Sequence, residues 1–189
     1  MNRSAGRSPE LALPATALRA LSAALSERLG ADDAAYALRA AGNAAGTALH
    51  AAFAASAVGI ADGDPREQLG EVDGAAFWHR FSDFLAARGW GRLRFRQLHD
   101  GVGALESSDW VEAGTDRNLG RPCCHLTTGM LANLLGGVAG DEVAVLEAEC
   151  RSAGHDQCVF LFGAPATLEA LYGDLAEGSD LDHALHELA

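Results

Sequence analysis

The four cysteines of this chain of 189 residues all lie in one stretch, at positions 123, 124, 150 and 158. A carboxylate, Glu147, lies three residues before Cys150, and His125 and His155 are close by in sequence. These side chains are the donor types that a tetrahedral zinc ion accepts. The stretch therefore constrains the possible folds more strongly than any other part of the sequence.

Hydrophobic periodicity predicts a helical N-terminal half. Leucine spacing after Pro14 predicts a helix that ends at Gly30. Two more helices are expected, over about residues 34–57 and 75–87. Gly42 and Gly46 lie in the second helix, where the missing side chains would allow another helix to approach closely.

Period-two alternation then predicts strands over about residues 92–97 and 102–113. Three arginines, at positions 92, 94 and 96, form the solvated side of the first strand, and on so acidic a chain we expect them to form internal ion pairs. The remaining elements predicted are a helix over residues 123–138, an antiparallel hairpin of residues 142–150 and 157–163, and a last helix over residues 165–176.

The predicted hairpin brings two of the thiols together, because Cys150 and Cys158 flank its turn. Facing residues of an antiparallel pair lie roughly 4.5–5.5 Å apart at Cα, a distance at which two thiolates can share one metal ion. A bulge near the strand end would turn Glu147 to the same side, and Cys124 lies at the positive end of the preceding helix. These four donors predict a closed, structural zinc site.

The spacing of these residues alone does not exclude other interpretations of the stretch. Isolated buried cysteines are common, and two cysteines separated by seven residues are as compatible with plain burial as with zinc. Cys123, His125 and His155 are rival donors. A cysteine nucleophile paired with His125 or His79 is also compatible with the residue types, but sequence spacing cannot test it.

Composition disfavours several classes of partner. The formal net charge is -12, with 26 acidic and 14 basic residues, so phosphate backbones and anionic lipid surfaces are repelled. No stretch approaches the roughly 20 apolar residues that span a bilayer, and the first residues lack the apolar region of a signal peptide. We therefore predict a cytoplasmic protein without nucleic-acid or membrane partners. Residues 1–10 are expected to be disordered and residues 11–189 to form one domain.

The sequence lacks the familiar catalytic and nucleotide-binding patterns. It contains no phosphate-binding loop ending in Gly-Lys-Ser/Thr, no Gly-x-Ser-x-Gly and no His-Glu-x-x-His. We therefore expect a binding module more than an enzyme.

The cysteine stretch resembles a known family. The residues that carry the resemblance are the run from Cys124 to Ala132, the run from Val143 to Cys150, and Gly154 with residues 158–160. They are similar to the 4-vinyl-reductase (hydrocarbon-binding) domain family, and to the sensor domain of phenol- and xylene-responsive sigma-54-dependent activators. In those sensors the pattern Pro-x-Cys, a glycine five residues later, and Glu-x-x-Cys-x7-Cys supplies a zinc site. The matching positions here are Pro122, Cys124, Gly129, Glu147, Cys150 and Cys158.

The resemblance implies an α+β fold, with an antiparallel sheet packed on helices as in the subunits of TRAPP vesicle-tethering complexes. It also implies a hydrophobic ligand cavity, a homodimer and a metal-site lobe over about residues 122–163. The sequence contains neither the ATPase module nor the DNA-binding helices of the activators, which predicts a stand-alone domain that binds a ligand or signals to a separate partner.

The leading hypothesis is therefore a zinc-stabilised domain that binds or senses a small hydrophobic or aromatic molecule. Residue type suggests walls and polar anchors for its pocket: Phe77, Trp78, His79, Phe81, His99, Trp110 and Met130. An accessory protein or pigment carrier in tetrapyrrole (bacteriochlorophyll) biosynthesis is the alternative. A further alternative is an assembly or tethering protein without a ligand.

Overall fold

The structure is a computed structural model that describes residues 10–57, 74–114 and 119–188. The expected disorder of residues 1–10 falls outside the described residues except for Glu10. Six helices are formed by the described residues: α1 (Ala15–Leu29), α2 (Ala31–Ala57), α3 (Gly74–Ala86), α4 (His125–Ala139), α5 (Pro165–Ala176) and α6 (Leu181–His186). Among these residues no helix combines the length and the apolar character that crossing a membrane requires.

Four strands form one antiparallel sheet: β1 (Arg94–His99), β2 (Val102–Ser107), β3 (Ala144–Glu149) and β4 (Cys158–Gly163). Their order across the sheet is β1-β2-β4-β3, so the β3–β4 hairpin pairs with the β1–β2 hairpin through β4. The helical N-terminal half and this antiparallel sheet confirm the predicted α+β class.

The two faces of the sheet are covered by different elements. On the first face, Leu105 pairs with Phe160 and Phe160 with Glu147, and this row lies against the core that α2, α3 and α4 complete. On the second face, Ala104 pairs with Leu161, and an aliphatic cluster there includes residues of α5 and α6. The sheet therefore separates two hydrophobic clusters.

Helices α2 and α4 pack backbone to backbone, as the glycines of α2 predicted. A Cβ atom added at Gly42 would lie 1.9 Å from the carbonyl oxygen of Leu126. One added at Gly129 of α4 would lie 2.0 Å from the carbonyl oxygen of Arg39. Only glycine allows this approach at either position.

The arginines at positions 92, 94 and 96 form the ion pairs that the sequence predicted. Arg94 and Arg96 both bind the carboxylate of Glu106 on β2, with Arg96 Nε 2.7 Å from Glu106 Oε1. Arg92 Nη1 lies 2.9 Å from Asp83 Oδ1 on α3. Each of the three cations is therefore paired with a carboxylate of the molecule.

The predicted second strand is too long, because β2 ends at Ser107 instead of Ala113. The chain turns there: Ser107 Oγ lies 3.0 Å from Asp109 Oδ1, and Asp109 Oδ1 accepts a hydrogen bond from the backbone N–H of Arg92. Burial resumes at Trp110 and Glu112 after the exposed Ser108 and Asp109, which explains why the sequence suggested a longer strand. The turn directs these two side chains toward the start of α4.

Candidate metal centre

Four side chains from three elements meet at one end of the first face. Cys124 is the N-cap residue of α4, Glu147 lies in β3, Cys150 follows β3, and Cys158 begins β4. One ligand atom from each of the four lies within 4.8 Å of those from the other three. All four residues are buried, and the three cysteines have no exposed surface. This buried cluster could hold a metal ion.

The local structure explains how the hairpin brings Glu147 to the thiols. The register of β3 against β4 shifts between Glu147 and Glu149, so the strand contains the irregularity that the sequence predicted near its end. A short 3-10 helix, Arg151–Ala153, and Gly154 with a φ of 102° then reverse the chain toward Cys158. Cys150 and Cys158 are placed on either side of this turn.

The four donor atoms lie close enough together to share one cation. Cys124 Sγ lies 3.9 Å from Cys150 Sγ, and the backbone N–H of Cys124 donates to Glu147 Oε2 over 2.7 Å. The other carboxylate oxygen, Glu147 Oε1, is buried and accepts no hydrogen bond. A buried carboxylate oxygen without a hydrogen-bond partner of good geometry, surrounded by thiols, fits a cation as its partner.

The thiols and the carboxylate of the cluster shift one another's pKa values. Burial raises the pKa of Glu147 to about 9, and the charge of the neighbouring Cys150 contributes to the rise. Hydrogen bonds from Cys123 and Cys124 lower the pKa of Cys150 far below that of a free thiol, whereas the same thiol network raises the pKa of Cys124. The cluster therefore carries little negative charge by itself, and a divalent cation would allow more of its donors to ionise.

The rival donors lie around this group instead of within it. Cys123 is half-buried, with its Sγ 3.8 Å from Cys150 Sγ. His125 is half-buried, and burial, with Arg39 and Arg121, lowers its pKa. His155 is exposed in the hairpin turn. None of the three belongs to the four-donor group that the described residues form.

A cavity of about 470 Å³ lies beside the cluster, between α1 and the segment that leads into α4. Small and apolar side chains of α1 and α2 form part of its wall, and polar groups come from the other side. Its lining includes Arg19, Ala20, Ala23, Leu38, Glu112, Leu119, Arg121, Cys123, His125 and Ser152. The helix that forms one side, α1, has no buried residue of its own.

Glu112 connects the cavity to the helix that carries Cys124. Its Oε1 accepts the backbone N–H of Leu126 over 3.0 Å, and its Oε2 accepts the backbone N–H of Thr127 over 2.8 Å. The hydroxyl of Thr127 also donates to Oε2 and in turn accepts the indole N–H of Trp110 over 2.7 Å. Burial raises the pKa of Glu112 to about 7, although these hydrogen bonds oppose the rise.

Sequence reasoning missed Glu112 and the α1 wall of the cavity. Glu112 satisfies two backbone donors in the first turn of α4, where a carboxylate is favoured. It does so across a loop and not as an N-cap of its own helix, so the spacing of capping residues gave no signal. The acidic residue after a buried tryptophan was the available clue.

The seven predicted pocket residues lie elsewhere, and none of them lines this cavity. Phe77 and Phe81 stack on each other, and both pack edge to face on Phe53. Trp78 packs edge to face on Phe77 and Phe81 and stacks on Phe95 with ring centroids 4.3 Å apart. Trp110 and Met130 are fully buried in the same core. His79 is exposed and lies 3.1 Å from Asp83, and His99 borders a second pocket of about 300 Å³ beside α6.

Comparison with known proteins gives one family match and a similar fold. Residues 109–164 match the model of the 4-vinyl-reductase domain. The phenol-responsive sensory domain of the transcription activator PoxR, solved with phenol, is 16% identical, has a TM-score of 0.64, and the match covers 92% of this chain and 85% of that chain. A vinyl-4-reductase family protein from Methanocaldococcus jannaschii is 22% identical over 44% of this chain and 55% of that chain, with a TM-score of 0.40. No curated protein matches the chain significantly.

At these identities the structural likeness concerns the fold alone. The family match lies over the part of the chain that supplies the four-donor cluster, the α4 helix and the β3–β4 hairpin. The resemblance predicted from the cysteine stretch is therefore confirmed: residues 109–164 match the 4-vinyl-reductase domain, and the chain shares its α+β fold with a phenol-sensing domain.

Proposed function

We propose that this chain is a zinc-stabilised domain that binds and senses a small hydrophobic or aromatic molecule. The observation that carries the proposal is the cavity of about 470 Å³ directly beside the buried Cys124, Glu147, Cys150 and Cys158 cluster. The likeness to a sensory domain solved with phenol supports this class of ligand.

Three cysteines and one glutamate are a donor set that suits zinc. Thiolate ligands select zinc over the hard cations, and four protein donors complete a tetrahedron with no position for water. We propose that the role of the metal is structural, because its ligands would join α4 to both strands of the β3–β4 hairpin. Its binding free energy would then be folding free energy for this lobe.

The cavity has the size and the lining expected of a small-molecule site. Such sites are typically about 300–1,000 Å³, mostly apolar, with a few polar groups that orient the ligand. Ala23 of α1, Leu38 of α2 and Leu119 supply apolar wall, and Glu112 and His125 supply polar atoms on the opposite side. A small molecule with an apolar body and one hydroxyl group fits this distribution.

The experiment compares two neighbouring positions on α1. Ala23 lines the cavity, whereas Ala24 does not. We expect Ala23→Phe to weaken binding of phenol, measured by calorimetry, by about tenfold or more, because the ring occupies the space of the ligand. Ala24→Phe should leave the affinity within about twofold of the unsubstituted protein.

Two results would contradict the proposed site. Equal phenol affinity in the two variants would move the ligand away from this cavity, toward the aromatic residues Phe77, Trp78 and Phe81 that remain the predicted alternative. Absence of phenol binding together with a shifted absorption band of an added porphyrin would favour the pigment-carrier hypothesis. A native mass spectrum of the same samples reports zinc content and tests the predicted homodimer.

A further inference from the structure

One thiol beside the cluster has no role in the proposed metal site. Cys123 precedes the N-cap residue of α4, and its Sγ lies 3.8 Å from the Sγ of Cys150. The residue also lines the cavity. A non-ligand thiol therefore touches both an accessible space and a sulfur of the four-donor group.

Solvent exposure distinguishes Cys123 from the other thiols more clearly than the distance of its Sγ from Cys150 Sγ does. Cys124 Sγ is also close to Cys150 Sγ, at 3.9 Å, but Cys124, Cys150 and Cys158 are each fully buried. Cys123 alone among the four cysteines is partly exposed. A small oxidant entering the cavity would therefore reach Cys123 first.

Neither Cys123 nor Cys150 lies within a helix or strand. A disulfide needs a sulfur separation of about 2.05 Å, so the present contact must shorten by about 2 Å, a displacement that side-chain rotation provides. Cys123 lies in the non-helical segment before α4, and Cys150 lies between β3 and the 3-10 turn. Neither residue is inside a regular element that would have to break.

We propose that Cys123 is an oxidation site for small hydroperoxides and forms a reversible disulfide with Cys150. The sulfur of Cys123 attacks one peroxide oxygen, the O–O bond breaks, and hydrogen peroxide leaves one oxygen on Cys123 as a sulfenic acid with release of water. The sulfur of Cys150 then attacks that sulfur, the S–O bond breaks, and a second water leaves. Two thiols are oxidised by two electrons in total, and one peroxide is reduced to two waters.

The consequence for the metal depends on the proposed zinc site, whereas the disulfide itself does not. The thiolate is the form of cysteine that ligates metal, so Cys150 bonded to Cys123 is lost as a donor. Three donors remain, Cys124, Glu147 and Cys158. Peroxide would therefore weaken the metal-mediated link between α4 and the β3–β4 hairpin, next to the ligand cavity.

The test treats purified metal-loaded protein with hydrogen peroxide. Disulfides are mapped by mass spectrometry after alkylation, and released zinc is followed with a chromophoric chelator. We expect a Cys123–Cys150 disulfide, one zinc released for each disulfide, and recovery of both thiols with dithiothreitol. Cys123→Ser and Cys123→Ala should retain zinc but release it about tenfold more slowly under the same peroxide.

The outcomes separate this inference from the proposed function. A Cys124–Cys150 disulfide, or equal release rates with and without Cys123, would overturn the inference. Loss of zinc from both Cys123 variants before oxidation would also overturn it, since Cys123 would then be a ligand. If the unsubstituted protein binds no zinc, the zinc proposal fails, and disulfide mapping of the metal-free protein still decides whether Cys123 and Cys150 pair.

Discussion

The two faces of the sheet are covered by side chains of different chemical types. The first face is covered by α2, α3 and α4, and its core contains phenylalanines, a tryptophan and three buried cysteines. The second face is covered by α5 and α6, and every buried hydrophobic residue in its cluster is valine, alanine or leucine. The cysteines and the glutamate of the proposed metal site are thus concentrated on the first face. The second face serves to close the domain.

The largest expected effect is loss of the proposed metal from the first face. Cys158→Ser replaces a thiolate ligand by a hydroxyl, which is a poor zinc ligand. We expect the variant to be purified without zinc and to lose about 4 kcal/mol or more of unfolding free energy, the linkage expected at a metal concentration near 1,000 times Kd. Denaturant unfolding with and without a chelator measures this loss.

The matched control lies on the second face of the same strand. Leu161 is fully buried in β4, and Leu161→Ala should cost about 2–5 kcal/mol through the cavity it leaves. Its unfolding free energy should fall by the same amount with chelator as the unsubstituted protein's does. If chelator lowered the unfolding free energy of Cys158→Ser but not that of Leu161→Ala, the metal would depend on the second face and not on the first.

The second effect is a pH dependence of opposite sign at two buried glutamates: Glu112, which binds the start of α4 above the first face, and Glu106 on the second face. The pKa of Glu112 is raised from 4.5 to about 7, so its contribution to stability is fully present below pH 4.5 and is lost as pH rises through 7. The change amounts to about 3 kcal/mol. Glu112→Gln should remove this decline from the pH dependence of unfolding free energy.

Glu106, which pairs with Val159 on the second face, provides the contrast. Burial opposes its ionisation, but the hydrogen bonds and charges of Arg96 and Arg94 lower its pKa below the ordinary value. Its contribution is present above the unfolded pKa and is lost as pH falls through the folded one. Glu106→Gln should therefore flatten the acid side of the curve. Identical curves for the two variants would remove the distinction between the faces.

The smallest effect concerns how closely the helices approach. Gly129→Ala in α4 would place a methyl group against the backbone of Arg39 in α2, which cannot move aside, and should cost about 1–3 kcal/mol. Gly173→Ala in α5 meets no atom within 4 Å and should stabilise by about 0.5–1 kcal/mol. Thermal unfolding of both variants measures the pair. A neutral Gly129→Ala would show that α2 and α4 can separate.

Much of the fold was predictable because its signals are local. Gly30 ends α1 with a φ of 86°, the last long helix begins and ends where the pattern placed it, and the arginines of β1 found internal partners. The β3–β4 hairpin brings Cys150 and Cys158 together through a short stretch of chain, so their meeting required no knowledge of the rest of the molecule. Cys124 lies 26 residues before Cys150, and it was inferred as a donor from its place at the start of a predicted helix and from the family resemblance.

The cavity was not predictable from the same kind of signal. Aromatic residues at helical spacing give the same sequence pattern whether they fill a core or line a pocket. Here Phe77, Trp78 and Phe81 pack on one another. The space lies beside α1, where small side chains leave a gap. Such a gap depends on how elements that are far apart in sequence pack together, and neither hydrophobic periodicity nor residue type predicts that packing.

The position of β4 in the sheet sets a limit on how this domain can be divided. The family match begins at residue 109, after β2 has ended at Ser107, yet β4 forms a full antiparallel ladder with β2. A fragment that starts at residue 109 would contain every proposed ligand and would still expose one edge of β4, an edge that invites association with other chains. The unit of sequence similarity is therefore smaller than the unit of folding, and exchange of this segment between relatives would have to include the β1–β2 hairpin.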